Sequence, residues 1–332
     1  MTTVTAQDLL FRKIKELLPA DISVADSISE ILHVSTDSAY RRIRGETPLV
    51  LDELISICRH YPISLNQFVE NGDNSVLFKN TRINNQDYTY PDYLEGLTKL
   101  VRGVEALDKK EVIYMSKDLP IFYNFYFRPL IAFRYFFWMK IQFLHPDFER
   151  KSFDIELLPP AIEAQSRELI KSYNAIPSTE IWNMESINST ISQIEFSRSS
   201  GHFSDTSDVR KIYQALEDSI VHVQEQAEHG CKFMPGEDPG SQPQNLKFFF
   251  NRVVLGDNTI MVNAGTMRSA FINYGHLNYL VTNDEKFCDD LYQDFKNIIR
   301  RSTQISGTGE RQRHIFFNNL LTKIRERKLA AP

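Results

Sequence analysis

Residues 33–48 read His33-Val-Ser-Thr-Asp-Ser-Ala-Tyr-Arg-Arg-Ile-Arg-Gly-Glu-Thr-Pro48, and this stretch decides the fold of the N-terminal part of the chain. It combines a turn, a helix cap and three arginines within sixteen residues. Serine and threonine are favoured at helix N-caps, and glycine is favoured just past helix ends. The stretch therefore predicts a short helix that starts after Ser35 or Thr36, ends at Gly45 and presents arginine side chains.

A second amphipathic helix precedes this one. In residues 24–32, Ile28, Ile31 and Leu32 recur at the spacing of one helix face, and Ser23 is placed to cap the helix. His33 follows at a position where the turn requires a positive φ, which histidine adopts more readily than most residues. The pattern predicts two short helices joined by a tight turn.

Residues 6–70 resemble the five-helix, Cro/repressor-type (Xre-type) helix-turn-helix domain of bacterial transcription regulators. The resemblance rests on three segments: Ile31-Leu32-His33-Val34-Ser35, Arg44-Gly45, and Tyr61-Pro62-Ile63-Ser64-Leu65 before a last helix at 64–67. It implies that the helix after the turn lies in the major groove of DNA. The chain departs from the family at His33, where glycine is usual, and it lacks the glutamines that often open both helices. Adenine recognition by a bidentate glutamine is therefore not predicted.

The inward face of the second helix has two candidate registers. Counting from the turn by the family pattern puts Ala39 and Arg42 inward. Apolar content instead favours Tyr40 and Ile43, which needs one extra residue at the start of the helix. With the apolar register, the residues that we expect to face DNA are Thr36, Asp37, Ser38, Arg41, Arg42 and Arg44.

The charge of this region argues against strong DNA binding by one copy. Residues 1–70 hold seven Lys/Arg and ten Asp/Glu, and attraction to phosphates dominates nucleic-acid affinity. We therefore expect the arginines to be concentrated on the DNA face and two copies to bind one site. The alternative for the arginines is an ordinary solvated helix face.

The remainder of the chain predicts a linker and a second domain. Residues 71–90 are polar and rich in turn-forming residues, and 91–332 predict an α+β domain with a small sheet and many helices. Strands are expected at 111–115, 246–255, 259–263 and 269–274, with the second and third joined as a hairpin across Gly256-Asp-Asn258. Helices are expected at 94–107, 161–174, 184–197, 206–228 and 283–301, followed by a final helix around Phe316 and Leu320.

The segment 119–144 is the most aromatic part of the chain. Arg128, Arg134 and Lys140 divide it into runs too short to span a membrane, so it predicts a buried aromatic core rather than a membrane helix or a ligand-stacking pocket. Three cysteines without paired spacing and the lack of an N-terminal signal predict a cytoplasmic protein.

Sequence motifs for catalysis or metal binding are not found. The side chains that suggest a zinc site lack the spacing of zinc ligands; they are His202, His222, His229, Cys231 and His276. Gly307 and Gly309 precede Arg311 and Arg313, a pattern that favours helix capping over an anion site. We therefore expect no enzyme activity, no cofactor and no metal.

These patterns predict a cytoplasmic bacterial transcription regulator that binds specific DNA sequences and whose C-terminal domain dimerises or senses a signal. The expected partners are double-stranded DNA, a second copy of the chain and an unidentified small-molecule ligand, with no membrane. The dimer surface is expected on the apolar stripe of the 94–107 helix or of the final helix. The alternative is that each stripe is buried within its own subunit. The alternative functions are a protein-interaction module in the five-helix domain or a regulated enzyme in the C-terminal domain.

Overall fold

The chain forms two compact units, residues 1–77 and 78–332. The computed structural model describes residues 5–18, 22–61, 63, 76–80, 88–253, 256–265, 267–274 and 278–331. Two residues of the expected linker, Lys79 and Asn80, pair with a strand of the second unit's sheet. The second unit therefore includes residues that the sequence pattern placed in the linker. Two extended residues at a sheet edge need no apolar pattern, so the pattern did not indicate this strand.

The described part of the first unit contains four helices. They are α1 (Ala6–Leu17), α2 (Val24–Leu32), α3 (Thr36–Ile43) and α4 (Leu51–His60). Their shared core includes Leu10, Ile14, Ile28, Ala39 and Ile57. The fifth helix, expected at 64–67, lies outside the described residues.

The second unit contains seven described helices and eight strands. The helices are α5 (Tyr90–Glu105), α6 (Arg128–Phe137), α7 (Pro160–Asn174), α8 (Asn188–Ser199), α9 (Ser207–His229), α10 (Glu285–Arg300) and α11 (Glu310–Leu329). The strands are β1 (Lys79–Asn80), β2 (Lys110–Ser116), β3 (Ser178–Trp182), β4 (Leu246–Phe250), β5 (Thr259–Ala264), β6 (Met267–Tyr274), β7 (Asn278–Thr282) and β8 (Thr303–Gln304).

All eight strands form one mixed sheet in the order β1-β7-β6-β5-β2-β3-β4-β8. At its centre β2, β3 and β4 are parallel, with β2 to β3 and β3 to β4 connected through helices. The other neighbouring pairs are antiparallel. The fold is thus the expected mixture of helices and sheet, with a larger sheet than the sequence predicted.

The expected hairpin across Gly256 is wrong. β4 does not pair with β5; it lies beside β3 and β8, while β5 pairs with β2 and β6. The hairpin is instead formed by β5 and β6, and Gly265 in its turn has a φ of 64°. Apolar residues dominate β4 because both of its faces are buried, as in parallel sheets: Phe248 and Phe250 lie in one core and Phe249 lies in the other.

The sheet lies between two helical layers. Val112 and Tyr114 of β2 face a large core built from α5, α6, α7, α8, α9 and α11. Ile113 faces the opposite side, where a smaller core includes Phe295 of α10. Successive side chains of β2 therefore point into two different cores, rather than alternately into a core and into solvent.

The aromatic segment 119–144 is a buried core element, as the sequence predicted. Phe125, Phe133 and Phe136 have no exposed surface. None of the described helices is both long enough and apolar enough to cross a membrane.

A buried polar cluster lies on the side of β3 that faces the larger core. The Glu180 side chain is fully buried, and its Oε1 accepts hydrogen bonds from the hydroxyls of Tyr123 at 2.6 Å and Tyr173 at 2.7 Å. Its Oε2 accepts one from Trp182 Nε1 at 2.9 Å. Lys232 is also buried, and its Nζ donates to the carbonyl oxygen of Tyr173 at 2.8 Å. The hydrogen bonds to Glu180 offset the cost of removing its carboxylate from water.

Candidate nucleic-acid interface

The α2–turn–α3 segment has the geometry that its sequence predicts. Ser23 caps α2 and Ser35 caps α3, each through a side chain that accepts from a backbone N–H three residues on. His33 between the helices has φ 54° and ψ 42°, in the left-handed region. The predicted positive φ at His33 is confirmed.

The inward register of α3 is the one obtained by counting from the turn. Ala39 is fully buried and the Arg42 side chain is 16% exposed, whereas Tyr40 is 47% exposed. Ile43, which apolar content placed inward, does pack against the core. The expectation that Tyr40 packs inward is wrong, and α3 needs no extra residue. Tyr40 therefore lies on the exposed face of α3. Its apolar ring had led us to expect it in the core.

Arg42 is not on the exposed face, which corrects its assignment as an outward residue. Its Nε and Nη2 donate to the two carboxylate oxygens of Glu53 in α4, at 3.0 and 2.6 Å, and Nη1 donates to the Ser38 carbonyl oxygen at 3.1 Å. The Arg42 side chain is 16% exposed and that of Glu53 18%. The hydrogen bonds from Arg42 hold the pKa of Glu53 below its usual value. Arg42 therefore joins α3 to α4.

Gln7 of α1 holds the segment that follows α3. Its Nε2 donates to the carbonyl oxygens of Arg42 at 2.6 Å and Thr47 at 2.9 Å, and its Oε1 accepts from the Leu49 N–H at 3.1 Å. These bonds satisfy backbone groups beyond the helix end. They also fix α3 against α1, so that the exposed side chains of α3 project from a helix held on two sides.

The exposed face of α3 and its C-cap residue carries five exposed side chains: Thr36, Asp37, Tyr40, Arg41 and Arg44. Ser38 is half-buried, and its hydroxyl accepts a hydrogen bond from Ser35 Oγ at 3.0 Å. The structure thus brings together four of the six expected residues on one surface, adds Tyr40, and turns Arg42 away.

Both exposed arginines have a nearby carboxylate. Arg41 Nε lies 3.1 Å from Asp37 Oδ2, one helical turn earlier, and Arg44 Nε lies 2.9 Å from Glu46 Oε1. All four side chains are more than half exposed, so these pairs contribute little to stability. They nevertheless place negative charge beside each cation on the surface.

Two pockets among the described residues of the second unit are lined mainly by polar and charged side chains and fall within the size range of small-molecule sites. One, of about 500 Å³, includes Arg128, Asp154 and Lys211. The other, of about 630 Å³, lies at the start of β2, β3 and β4 and includes Glu111, Thr179 and Lys247. In the part of the chain that the structure describes, no three His, Cys, Asp or Glu side chains are grouped as metal ligands.

The glycines before α11 belong to a structural turn. Gly309 caps α11 with a φ of 71°, and a Cβ there would lie 2.4 Å from the Gln304 carbonyl oxygen. Arg313 is buried and donates to the carbonyl oxygens of Ile305 and Thr308 at 3.1 and 3.2 Å. Its guanidinium therefore holds the turn.

The geometry of the first unit is thus that of a capped two-helix element with a polar second helix, braced from α1 and α4. Comparison of the chain with protein-family models, curated proteins and solved structures finds no match.

Proposed function

We propose that the protein is a sequence-specific DNA-binding transcription regulator, with the exposed face of α3 as its DNA-reading surface. The observation that carries the proposal is the α2–turn–α3 element, in which a left-handed turn residue joins two capped helices. The second helix presents Thr36, Tyr40 and Arg41 to solvent. A short helix with this arrangement fits the width of the major groove, where base edges are read.

The bracing of α3 supports the same proposal. A reading helix must hold its side chains in register with base pairs, and Gln7 and Arg42 fix α3 through hydrogen bonds to its backbone and to α4. Arg42 supplies rigidity, while Arg41 and Arg44 supply the positive charge that approaches DNA. The larger second unit is then the part of the regulator that dimerises or senses a signal, with its two polar pockets as the places for a ligand.

DNA selection followed by affinity measurement tests the proposal. The full-length protein is used to enrich duplexes from a random library, and affinities are measured by fluorescence anisotropy. Arg41→Ala should weaken binding to the selected site by about 1–3 kcal/mol, the value of a base contact. Arg44→Ala should weaken selected and unrelated duplexes alike and reduce the salt dependence, because it removes a phosphate contact.

Arg150→Ala is the control, because Arg150 is an exposed arginine of the second unit that lies outside α5. It removes the same charge and should leave the affinity for the selected site unchanged. If no duplex is enriched, or if the Arg41→Ala, Arg44→Ala double variant binds as tightly as the wild type, the proposal is wrong. The excess of acidic residues in 1–70 would then favour a protein-interaction module.

A further inference from the structure

We infer that the Asp37–Arg41 ion pair acts as one unit that recognises the major-groove edge of a single G·C base pair. This inference rests on the proposed function. Its starting point is the position of Asp37, a carboxylate on the very face that would approach a polyanion. A carboxylate there repels phosphates, so it must be offset by a favourable contact for the face to bind DNA.

The ion pair has the hydrogen-bonding pattern that a G·C edge requires. In the major groove guanine presents two acceptors, N7 and O6, and cytosine presents one donor, the N4 amino group. Arg41 uses Nε toward Asp37 Oδ2 at 3.1 Å, and within the described residues its two Nη groups form no hydrogen bond. The pair thus offers two donor groups and, beside them, a carboxylate acceptor.

The free protein already holds these groups together. O6 of guanine and N4 of cytosine are neighbours within one base pair, so a guanidinium on guanine and a carboxylate on cytosine also lie side by side. Asp37 and Arg41 are four residues apart on one helix face, where side chains meet. Binding at a G·C pair would therefore keep the ion pair rather than break it.

The same geometry disfavours other base pairs. Adenine presents a donor beside the N7 acceptor, and the lone pair of N7 repels a carboxylate, whereas thymine presents an acceptor and a methyl group. With adenine in the place of guanine, Asp37 would face the O4 acceptor of thymine. With thymine in that place, Arg41 would find one acceptor, O4, and would meet the methyl group where guanine has N7. Asp37 thereby contributes to specificity by penalising wrong sequences as well as by binding cytosine.

The test is DNA selection with wild type, Asp37→Asn and Arg41→Ala, followed by affinity measurement on duplexes changed at each position. Both side chains are exposed, so neither substitution removes a packed group. The wild type should require one G·C pair, and each variant should lose about tenfold or more of its preference at that same pair. Asp37→Asn should also accept adenine there, because an amide can pair with adenine N6 and N7. The effects of the two substitutions should be less than additive, since each removes the same unit.

Glu46→Gln is the matched control. It removes the same charge from the other exposed ion pair, so it should strengthen binding to all duplexes while leaving the preference at the G·C pair unchanged. If Asp37→Asn strengthens all sequences equally, or if the two variants lose preference at different positions, the inference is wrong while DNA binding stands. If the wild type selects no DNA, the proposed function fails and this inference with it.

Discussion

At the scale of single residues, two capping serines and a left-handed histidine set the backbone of the α2–turn–α3 segment, and Arg42 connects α3 to α4. The caps at Ser23 and Ser35 and the left-handed turn at His33 follow from neighbouring residues, so the sequence reveals them. The exposure of Tyr40 depends instead on Arg42 meeting Glu53, eleven residues away. Apolar periodicity counts a tyrosine ring as core and contains no sign of an ion pair between helices, so the exposed face of α3 was predicted only in part.

His33 offers a test of the turn. Because its φ is 54°, glycine should be tolerated or stabilising, whereas a β-branched valine should cost about 1–2 kcal/mol. Hydrogen–deuterium exchange of amides in residues 24–44 of the full-length protein measures this directly. His33→Val should accelerate their exchange, and His33→Gly should not.

The control for this measurement is His60→Val, the same substitution at the exposed end of α4, where the backbone is right-handed. It should leave exchange in residues 24–44 near the wild-type rate. Equal protection in His33→Val and His33→Gly would show that the turn imposes no conformational demand.

At the scale of elements, helices with a clear 3.6-residue period were predicted well, and strands that violate the alternating pattern were missed. β3 reads Ser-Thr-Glu-Ile-Trp, yet all five residues are buried. Its polar side chains are satisfied by groups from distant segments, Glu180 by Tyr123 and Tyr173 and Thr179 by Glu111. The sequence contains those partners but does not show that they are in contact. The polar residues of 178–182 therefore gave no indication of a buried strand.

The end of α7 provides a pH-dependent test of the same buried cluster. Lys232 donates to the Tyr173 carbonyl oxygen there, and burial lowers the pKa of its amine to about 7. In the unfolded chain that pKa returns to about 10.4, so between these values the unfolded state binds a proton that the folded state lacks. The free energy of unfolding should therefore rise with pH from about 7 towards 10 through this group.

Urea denaturation of wild type and Lys232→Met at several pH values between 7 and 9 measures the effect. Tryptophan fluorescence is a suitable signal, because the only two tryptophans, Trp138 and Trp182, lie in the second unit. As the pH is raised, the free energy of unfolding of the wild type should increase relative to that of Lys232→Met. Lys247→Met, at an exposed lysine of β4, should show a constant difference. A constant difference for Lys232→Met as well would mean that Lys232 stays charged in the folded protein.

At the scale of the whole molecule, the sequence pattern alone did not locate a surface on which two copies could meet. The final helix was one candidate, but Phe316 and Leu320 are fully buried in their own subunit. Most of the apolar stripe of α5 is buried too, since Leu94 and Val101 lie in the core. Amphipathic periodicity reveals that a face is covered, but not whether the same chain or another covers it.

We predict that the full-length protein forms a two-fold dimer through the part of α5 that its own subunit leaves exposed, where Leu100 and, just past the helix end, Leu107 are open to solvent. If the first unit binds DNA as we propose, one acidic copy would offer few phosphate contacts, so two copies at a fixed spacing would be needed for specific binding. Leu100 of α5 and Ile315 of α11 are matched in exposure, at 45% and 46%. Light scattering should show twice the mass of one chain for the wild type and for Ile315→Glu, and a shift towards the monomer for Leu100→Glu. A monomeric wild type that binds one half-site as tightly as a palindrome would contradict the dimer.

The two ends of the large sheet have a consequence for how this protein can aggregate. Within the described residues, its outermost strands β1 and β8 are two residues long and leave few backbone N–H and C=O groups open to a foreign strand. Long, flat edges are the usual templates for amyloid-like growth, and short edges are a common protection against it. At these two strands the folded protein should therefore resist fibre formation by strand addition, so that association of intact molecules there proceeds through side chains rather than through an extended sheet.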